Sequence, residues 1–254
     1  MSKYYRGKRS RNIYDPADPA PFKLSRSKLE AFMNCPRCFY IDRRLGVGQP
    51  PGYPFNLNSA VDALLKNEFD IYRAQGKPHP LMVRNRVDAV PAAHEKLDEW
   101  RENFKGVQHL HGPTNLIITG AIDDLWINPA GEYIVVDYKA TSKSEAINEL
   151  DQDWHDGYKR QMEIYQWLLR RNGLTVSDTG YFVYCNGIKD RDLFDARLDF
   201  EITLIPHVGN DGWVENCVHA AHACLGGGQP PSPAEDCDYC VYLREVESAL
   251  GKTE

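Results

Sequence analysis

Residues 115–144 read NLIITGAIDDLWINPAGEYIVVDYKATSKS, and this stretch decides the fold. Its first part, residues 116–127, is rich in apolar and β-branched side chains, which predicts a strand. The Asn-Pro-Ala-Gly segment at 128–131 has the composition of a turn. The apolar run after it predicts a second strand over residues 133–140. We therefore expect two strands joined by a turn.

Charged side chains interrupt these apolar strands. Asp123 and Asp124 are adjacent in the first strand, and Asp137 and Lys139 lie two residues apart at the end of the second. Side chains alternate between the two faces of a strand, so Asp137 and Lys139 share one face. Carboxylate oxygens bind hard divalent cations, and an ammonium group stabilises developing negative charge or orients water. The pattern therefore indicates metal-assisted hydrolysis.

Three short motifs in series resemble the PD-(D/E)XK nucleases. They are Gly120-Ala-Ile-Asp123, Asp137-Tyr-Lys139 and Gln161-Met-Glu-Ile-Tyr165. Their order, spacing and strand–strand–helix context carry the resemblance, which covers residues 25–245. The branch that they resemble most is that of the RecB-like exonucleases, which includes the CRISPR-associated nucleases that process new spacers.

The resemblance implies a set of ligands for Mg²⁺ or Mn²⁺. Asp123, Asp137 and the main-chain carbonyl of Tyr138 match the family's metal ligands. Where family members often carry Gly-x-x-x-His in the preceding helix, this chain has Asn58-Ser-Ala-Val-Asp62, so Asp62 stands at the position of the histidine. An aspartate there favours the harder ion, Mg²⁺. Two interpretations of Asp62 stay open, namely a metal ligand and a solvent-facing helix residue.

The choice between the adjacent aspartates also follows from the resemblance. The family's Gly-x-x-Asp aligns with Gly120 to Asp123, which selects Asp123 as the site residue. Because its neighbour faces the opposite way, Asp124 is expected to cap the other face or to bind a basic helix residue.

Polar and basic residues of the following helix complete the implied site. Gln161 and Tyr165 lie one helical turn apart and share a face. The resemblance implies that they orient the catalytic Lys139 or contact the DNA strand, while the alternative is a core tyrosine with the glutamine at its edge. Three basic residues are candidates for phosphate contacts, or else ordinary surface charges: Lys143, Lys159 and Arg160.

Length and composition indicate one domain of an ordinary water-soluble protein. The chain has 254 residues, and no apolar run approaches the length of a membrane span, so a cytoplasmic location is expected. We predict a flexible basic tail and linker over residues 1–23, one nuclease domain over residues 24–245, and a C-terminal tail over residues 246–254. The net charge of −6 does not indicate nucleic-acid binding, but a nuclease needs only a local basic groove.

The predicted order of helices and strands implies an α/β fold with a central mixed sheet flanked by helices. The resemblance implies that this sheet is a core of the restriction-endonuclease type. The predicted helices are residues 28–34, 55–73, 91–104, 158–171 and 213–224. In the helix over 91–104, Leu97, Trp100 and Phe104 are expected to face inward. Strands are predicted over residues 180–186 and 194–205 as well.

Four of the seven cysteines form two C-x-x-C pairs, Cys35/Cys38 and Cys237/Cys240, near the two ends of the predicted domain. In a reducing compartment such pairs indicate a metal site rather than disulfides. Four thiolates suit either Zn²⁺ or a [4Fe–4S] cluster. The spacing favours zinc slightly, whereas the resemblance favours iron–sulfur, although family members usually have one early and three late cysteines. Either metal is expected to join the two ends of the domain.

The resemblance thus implies a Mg²⁺- or Mn²⁺-dependent deoxyribonuclease that hydrolyses phosphodiester bonds, as an exonuclease on single strands or DNA ends. Its partners would be DNA and a helicase, a CRISPR-adaptation protein or a recombination and DNA-repair protein, with the oligomeric state left open. One alternative is a non-catalytic nucleic-acid-binding or assembly subunit, which Asp62 favours. Another is a zinc-containing module that binds only protein, which leaves the Asp-x-Lys motif unexplained.

Overall fold

The computed structural model describes residues 7–50, 52, 56–145 and 147–251. Its α-helices are α1 (Arg26–Asn34), α2 (Pro36–Arg43), α3 (Asn56–Gln75), α4 (Pro80–Arg84), α5 (Leu97–Trp100), α6 (Asp156–Arg171), α7 (Val214–Gly226) and α8 (Asp238–Ala249). Its strands are β1 (Phe22–Ser25), β2 (Val90–Pro91), β3 (Val107–His111), β4 (Leu116–Gly120), β5 (Asp124–Ile127), β6 (Tyr133–Thr141), β7 (Thr179–Gly187) and β8 (Phe200–Val208).

Internal contacts divide the chain into two compact units. The first comprises Met1–Tyr53, Leu110–Ile118 and Gly212–Glu254, and the second comprises Pro54–His109 and Thr119–Asp211. The second unit contains the strand end with Asp137 and Lys139, and the first contains the two C-x-x-C pairs. The single domain predicted over residues 24–245 stays a prediction.

The second unit is built on a mixed sheet with the strand order β2-β5-β6-β7-β8. Strands β5 and β6 are antiparallel, β6 and β7 are parallel, and β7 and β8 are antiparallel. A parallel pair needs a long crossover, which α6 provides between β6 and β7. Helices cover both faces of the central strand β6, which explains its unbroken and buried Ile-Val-Val run. The predicted fold class is therefore confirmed.

Helices α3 and α6 cover opposite faces of β6. On one face Tyr138 packs among the apolar residues of α3, and the ring of Phe69 stacks on Trp126 with centroids 5.5 Å apart. On the other face Lys139 meets Gln161 of α6. This follows directly from strand alternation, which sends consecutive side chains of β6 to different helices.

The first unit packs α1, α2 and α7 together. Tyr40 of α2 donates a hydrogen bond from its hydroxyl to the carbonyl of Gly227 at 2.9 Å, just beyond the end of α7. Strand β1 belongs to a three-stranded sheet with the order β1-β4-β3. Among the described residues, no helix is long and apolar enough to cross a membrane.

A buried carboxylate in α2 holds part of the predicted N-terminal tail. Asp42 pairs with Arg43 at 2.9 Å, with Lys28 of α1 at 2.8 Å and with Arg9 at 2.8 Å. Arg9 lies in the segment expected to be flexible, and this ion pair fixes its side chain against α2. Residues 1–6 of that segment lie outside the described residues.

The sequence prediction was wrong on two elements near the central strands. The single strand expected over residues 116–127 is two strands, since β4 ends at Gly120 and β5 begins at Asp124. The helix expected over 91–104 shrinks to the single turn of α5, because the backbone at Val90–Pro91 pairs with β5 as an edge strand instead. Leu97 and Trp100 are buried as expected, but Phe104 is 94 % exposed.

Other boundaries differ by smaller amounts. The strand expected over 194–205 begins only at Phe200, and α8 reaches Ala249, beyond the predicted domain end at 245. The helix expected over 55–73 is α3, although residue 55 lies outside the described residues. Helix α2 had not been predicted, because its helical periodicity is masked by the cysteine pair and the proline at its start.

Candidate active site

The end of β6 places an aspartate and a lysine against α6. Asp137 is fully buried, and the ammonium of Lys139 forms an ion pair with its Oδ2. Gln161 donates from Nε2 to Asp137 Oδ1 at 2.7 Å. Asp137 Oδ2 therefore has the Lys139 ammonium as its partner. One oxygen of this carboxylate is held by an amide, and the other is held by a cationic side chain.

Gln161 connects three residues of the predicted site. Besides Asp137, its Nε2 contacts the hydroxyl of Tyr165 at 3.0 Å, and its Oε1 accepts from Lys139 Nζ at 3.4 Å. The i, i+4 spacing on α6 makes the contact with Tyr165 possible. Tyr165 is also buried. The position of this pair is therefore compatible both with a role in the site and with a core tyrosine that has the glutamine at its edge.

The glycine of the first motif has a steric role. A Cβ atom at Gly120 would lie 2.6 Å from Cε1 of Tyr165, well inside the closest approach of real side chains. Only glycine at the end of β4 therefore allows Tyr165 to reach Gln161. The Gly-x-x-Asp motif therefore has a physical explanation. Gly120 leaves room for the Tyr165 ring of α6, and Asp123 lies beside the backbone of Tyr138.

Asp123 lies in the break between β4 and β5. Its Oδ2 accepts the backbone N–H of Tyr138 at 2.8 Å, and its side chain keeps about a quarter of its exposure, 25 %. Burial, and then the negative charge of Asp137, raise the pKa of Asp123 to about 7. The two carboxylates repel each other in this enclosed place, and a divalent cation would relieve that repulsion.

The neighbouring aspartate serves the scaffold, as expected. Asp124 is fully buried and binds Arg73 of α3, which confirms that it pairs with a basic helix residue on the other face. It also accepts from Arg101 Nη2 at 2.7 Å and from the Tyr138 hydroxyl at 2.8 Å. Burial and the charge of Asp124 raise the pKa of Tyr138. Tyr138 thus links the scaffold through its side chain to the site through its backbone.

Asp62 is connected to Asp123 by a lysine that was not among the predicted site residues. Lys66 Nζ lies 2.8 Å from Asp62 Oδ2 and 3.8 Å from Asp123 Oδ1. Among the described residues, the carboxylates of Asp62, Asp123 and Asp137 do not form a group whose oxygens all lie within 4.8 Å. The ammonium of Lys66 takes the place between two of them that a shared metal ion would need. Its i+4 spacing from Asp62 on α3 was the available signal.

Lys139 contacts an aromatic ring as well as the carboxylates of the site. Burial lowers the pKa of Lys139, but the charges of Asp137 and Asp123 outweigh burial and raise it overall. Its ammonium also lies 4.6 Å from the ring centroid of Tyr158, which the sequence analysis missed as well. A cavity of about 110 Å³ is lined by Asp62, Lys139 and Tyr158, among others.

The three predicted phosphate-contact residues differ in their surroundings. Lys143 Nζ lies 5.4 Å from the ring centroid of Trp154, which is 48 % exposed. Both residues line a surface cavity of about 520 Å³. Lys159 pairs with Asp156 at 3.0 Å, and Arg160 is half-buried near the start of α6.

The donor set at the end of β6 fits a hard divalent cation. It consists of oxygen atoms, it includes the buried carboxylate of Asp137, and it brings a second carboxylate, Asp123, into electrostatic contact. The Tyr138 backbone lies between them and already holds Asp123 through its N–H.

Four cysteines of the first unit converge. Their sulfurs all lie within 4.8 Å of one another, with 3.8 Å from Cys35 to Cys240 and 3.6 Å from Cys38 to both Cys237 and Cys240. Thiolates at about 2.3 Å from one tetrahedral zinc lie about 3.8 Å apart. The donor set therefore fits a single tetrahedral metal ion.

The mixed sheet carries an Asp-x-Lys strand end between two helices. The family model of the PD-(D/E)XK nuclease superfamily matches residues 56–244, and the chain belongs to that superfamily. The predicted superfamily is thereby confirmed, while the RecB-like branch stays a prediction. A comparison with curated proteins gave no match.

Proposed function

We propose that the protein is a metal-dependent DNA nuclease that uses the end of β6 as its active site. The observation that carries this proposal is the position of Asp137, held by Gln161 on one oxygen and facing Lys139 with the other. A structural ion pair alone would not require a second carboxylate, Asp123, whose pKa is raised beside the buried Asp137.

Asp123, Asp137 and the Tyr138 carbonyl are the proposed ligands of Mg²⁺ or Mn²⁺. When bound, the ion supplies Lewis-acid stabilisation of the phosphate and lowers the pKa of an attacking water. Asp62 joins this set only if Lys66 leaves its place between Asp62 and Asp123.

The remaining residues act directly on the substrate or on one another. Lys139 carries a positive charge at neutral pH and stabilises the negative charge that develops on the phosphate. Gln161 positions both Asp137 and Lys139, and Tyr165 supports Gln161 from the next turn of α6. Lys143, Lys159 and Arg160 are proposed to contact the phosphate backbone.

The substrate is proposed to be single-stranded DNA or DNA ends, as the resemblance to RecB-like exonucleases implies. Trp154 supports this choice, because an exposed aromatic ring beside a lysine is suited to stack on an unpaired base next to a phosphate. The same resemblance suggests a helicase, a CRISPR-adaptation protein or a recombination protein as partner.

Matched substrates test this choice. Linear and circular single strands of the same sequence, the corresponding duplex and the corresponding RNA are incubated with protein and Mg²⁺ or Mn²⁺. We expect degradation of the linear single strand to mononucleotides or short products, and slower loss of the others. Cutting of the circle at an equal rate would contradict exonuclease action, and equal cutting of RNA would contradict the choice of DNA.

A non-catalytic nucleic-acid-binding subunit is the second candidate, and the Lys66 bridge to Asp62 is the observation that favours it. Such a subunit would bind the single strand without cutting it in either metal. Gel-shift and cleavage assays on the same preparation separate the two candidates.

For the cysteine site we propose Zn²⁺ rather than a [4Fe–4S] cluster. In such a cluster each thiolate binds a different iron, which requires wider separations than the observed 3.6 Å to 3.8 Å between sulfurs. Anaerobic purification with metal analysis and an absorption spectrum tests this assignment. Colourless protein with zinc supports it, and a brown protein with iron would restore the iron–sulfur alternative.

A further inference from the structure

We infer that the first unit carries another transition-metal site, formed by His111, Glu215 and His219 and suited to Zn²⁺. These residues belong neither to the proposed active site nor to the cysteine cluster. One ligand atom from each lies within 4.8 Å of the other two.

The three side chains come from two places in the sequence. His111 is the last residue of β3, and Glu215 and His219 lie on α7 at an i, i+4 spacing, which places them on one face of the helix. His111 Nε2 lies 2.6 Å from Glu215 Oε1, and the same oxygen lies 4.0 Å from His219 Nε2. The two imidazole rings meet edge to face with centroids 5.0 Å apart.

The surroundings of His111 resemble those of a metal-binding histidine. Its ring is almost completely buried, with 3 % exposure, and its Nδ1 lies 2.8 Å from Thr114 Oγ1. A hydroxyl can donate or accept, so Thr114 can keep this hydrogen bond when Nε2 loses its proton and takes a metal. Metal-bound histidines typically have such a partner on the second nitrogen, which fixes the ring orientation.

The other two ligands are more accessible to solvent than His111. Glu215 keeps 35 % and His219 keeps 50 % of its side-chain exposure. The short contact between His111 and Glu215 has to open, because a shared metal separates its ligands further than a hydrogen bond does. A shift of the Glu215 carboxylate, which is partly accessible to solvent, would make this room while the buried His111 ring keeps its place.

Ligand chemistry points to Zn²⁺ rather than to Mg²⁺. Two imidazoles and one carboxylate are a set that zinc binds at about 2.0–2.2 Å in tetrahedral sites with one open position. Hard ions that prefer oxygen bind imidazole weakly. His222, one turn further along α7, is left out of the set because its Nε2 lies 3.1 Å from the Tyr14 hydroxyl.

Zinc at this place would tie residues 110–118 to α7 within the first unit. His111 and Glu215 are 104 residues apart in sequence, so the ion would close a long loop. Ligands that bind only the folded state raise its stability in proportion to the logarithm of their concentration over the dissociation constant. The site is therefore expected to make thermal stability depend on zinc.

The test measures Zn²⁺ binding to full-length protein with its cysteine site loaded and Mg²⁺ in excess. Isothermal titration and metal analysis compare the wild type with His219→Ala and with the control Asn216→Ala, an exposed neighbour on the same helix. We expect His219→Ala to lose one equivalent of zinc and the zinc-dependent rise in Tm, while Asn216→Ala keeps both.

A second variant keeps the test informative if His219→Ala does not fold. Glu215→Gln keeps the side-chain size but removes the anionic ligand, and it should weaken zinc binding at least about tenfold. Equal zinc stoichiometry and affinity in His219→Ala and the wild type would overturn the inference. So would the absence of any zinc binding beyond the cysteine site in the wild type. Both results are independent of whether the protein cuts DNA.

Discussion

Gln161 donates a hydrogen bond to Asp137 Oδ1 at 2.7 Å and thereby fixes the one carboxylate that is buried at the end of β6. The same amide group also contacts Tyr165, and its oxygen faces Lys139. A single side chain of α6 therefore sets the position of a carboxylate and an ammonium group that strand β6 supplies.

Replacement of Gln161 tests its role as a positioning residue. We expect Gln161→Leu to lower kcat by about 10- to 100-fold and to raise the Mg²⁺ concentration needed for half-maximal activity, because Asp137 is no longer oriented. The KM for DNA should change little. A similar loss in kcat with an unchanged metal requirement would contradict the positioning role. Gln166→Leu is unsuitable as a control, because Gln166 also bonds the backbone at Ser177.

Gly120→Ala tests the contact between β4 and α6. The added methyl group would lie 2.6 Å from the Tyr165 ring, so the ring or the helix must shift. We expect a loss of about 1–3 kcal/mol in the free energy of unfolding, together with reduced activity. Gly112→Ala is the matched control, since a Cβ atom there meets nothing within 4 Å. Equal stability of the two variants in urea unfolding would contradict the steric account.

The pH dependence of stability tests the crowding of carboxylates. Burial and the Asp137 charge raise the pKa of Asp123 from 3.8 to about 7, so the folded protein holds this proton more tightly than the unfolded chain does. The resulting stability is fully present below pH 3.8 and is lost as the pH rises through about 7. In EDTA, we expect the Tm of the wild type to fall relative to the Tm of Asp123→Asn as the pH rises from 5 to 8.

Added Mg²⁺ provides the control for this pH effect. At pH 8 it should raise the Tm of the wild type but not that of Asp123→Asn, because the ion replaces the proton that relieves the repulsion. Parallel pH profiles of the two proteins without metal would show that Asp123 is not perturbed.

Lys66→Met tests whether Asp62 joins the metal set. The substitution removes the ammonium between Asp62 and Asp123 and keeps much of the aliphatic side chain. We expect tighter Mg²⁺ binding by calorimetry, by about tenfold, since two carboxylates lose a competing cation. The double variant with Asp62→Asn should lose this gain. If Lys66→Met binds Mg²⁺ as the wild type does, Asp62 stays outside the metal set.

The sequence predicted much of the site because local rules decide it. Alternation along β6 placed Asp137 and Lys139 together. The same rule assigned Asp123 and Asp124 to different sides, and Asp124 does bind Arg73 of α3. Helical spacing likewise placed Gln161 beside Tyr165. The convergence of the four cysteines followed from their pairing alone.

Features that depend on tertiary contacts could not be predicted from these local rules. The helix expected over residues 91–104 carried a helical pattern, but pairing of β2 with β5 overrode it. The bridge by Lys66 required the distance between α3 and the break before β5. The cluster of His111, Glu215 and His219 joins positions far apart in sequence, and no short motif announces it.

The central claim is tested most directly by cleavage of a fluorescent linear single strand by anaerobically purified protein with Mg²⁺ or Mn²⁺. Wild type is compared with Lys139→Ala and with Lys105→Ala, which changes an exposed lysine far from the strand end in sequence. We predict cutting by wild type and Lys105→Ala, none in EDTA, and a loss of at least about 100-fold in Lys139→Ala. Equal cutting by Lys139→Ala and the wild type, or no cutting by the wild type in either metal, would contradict the account.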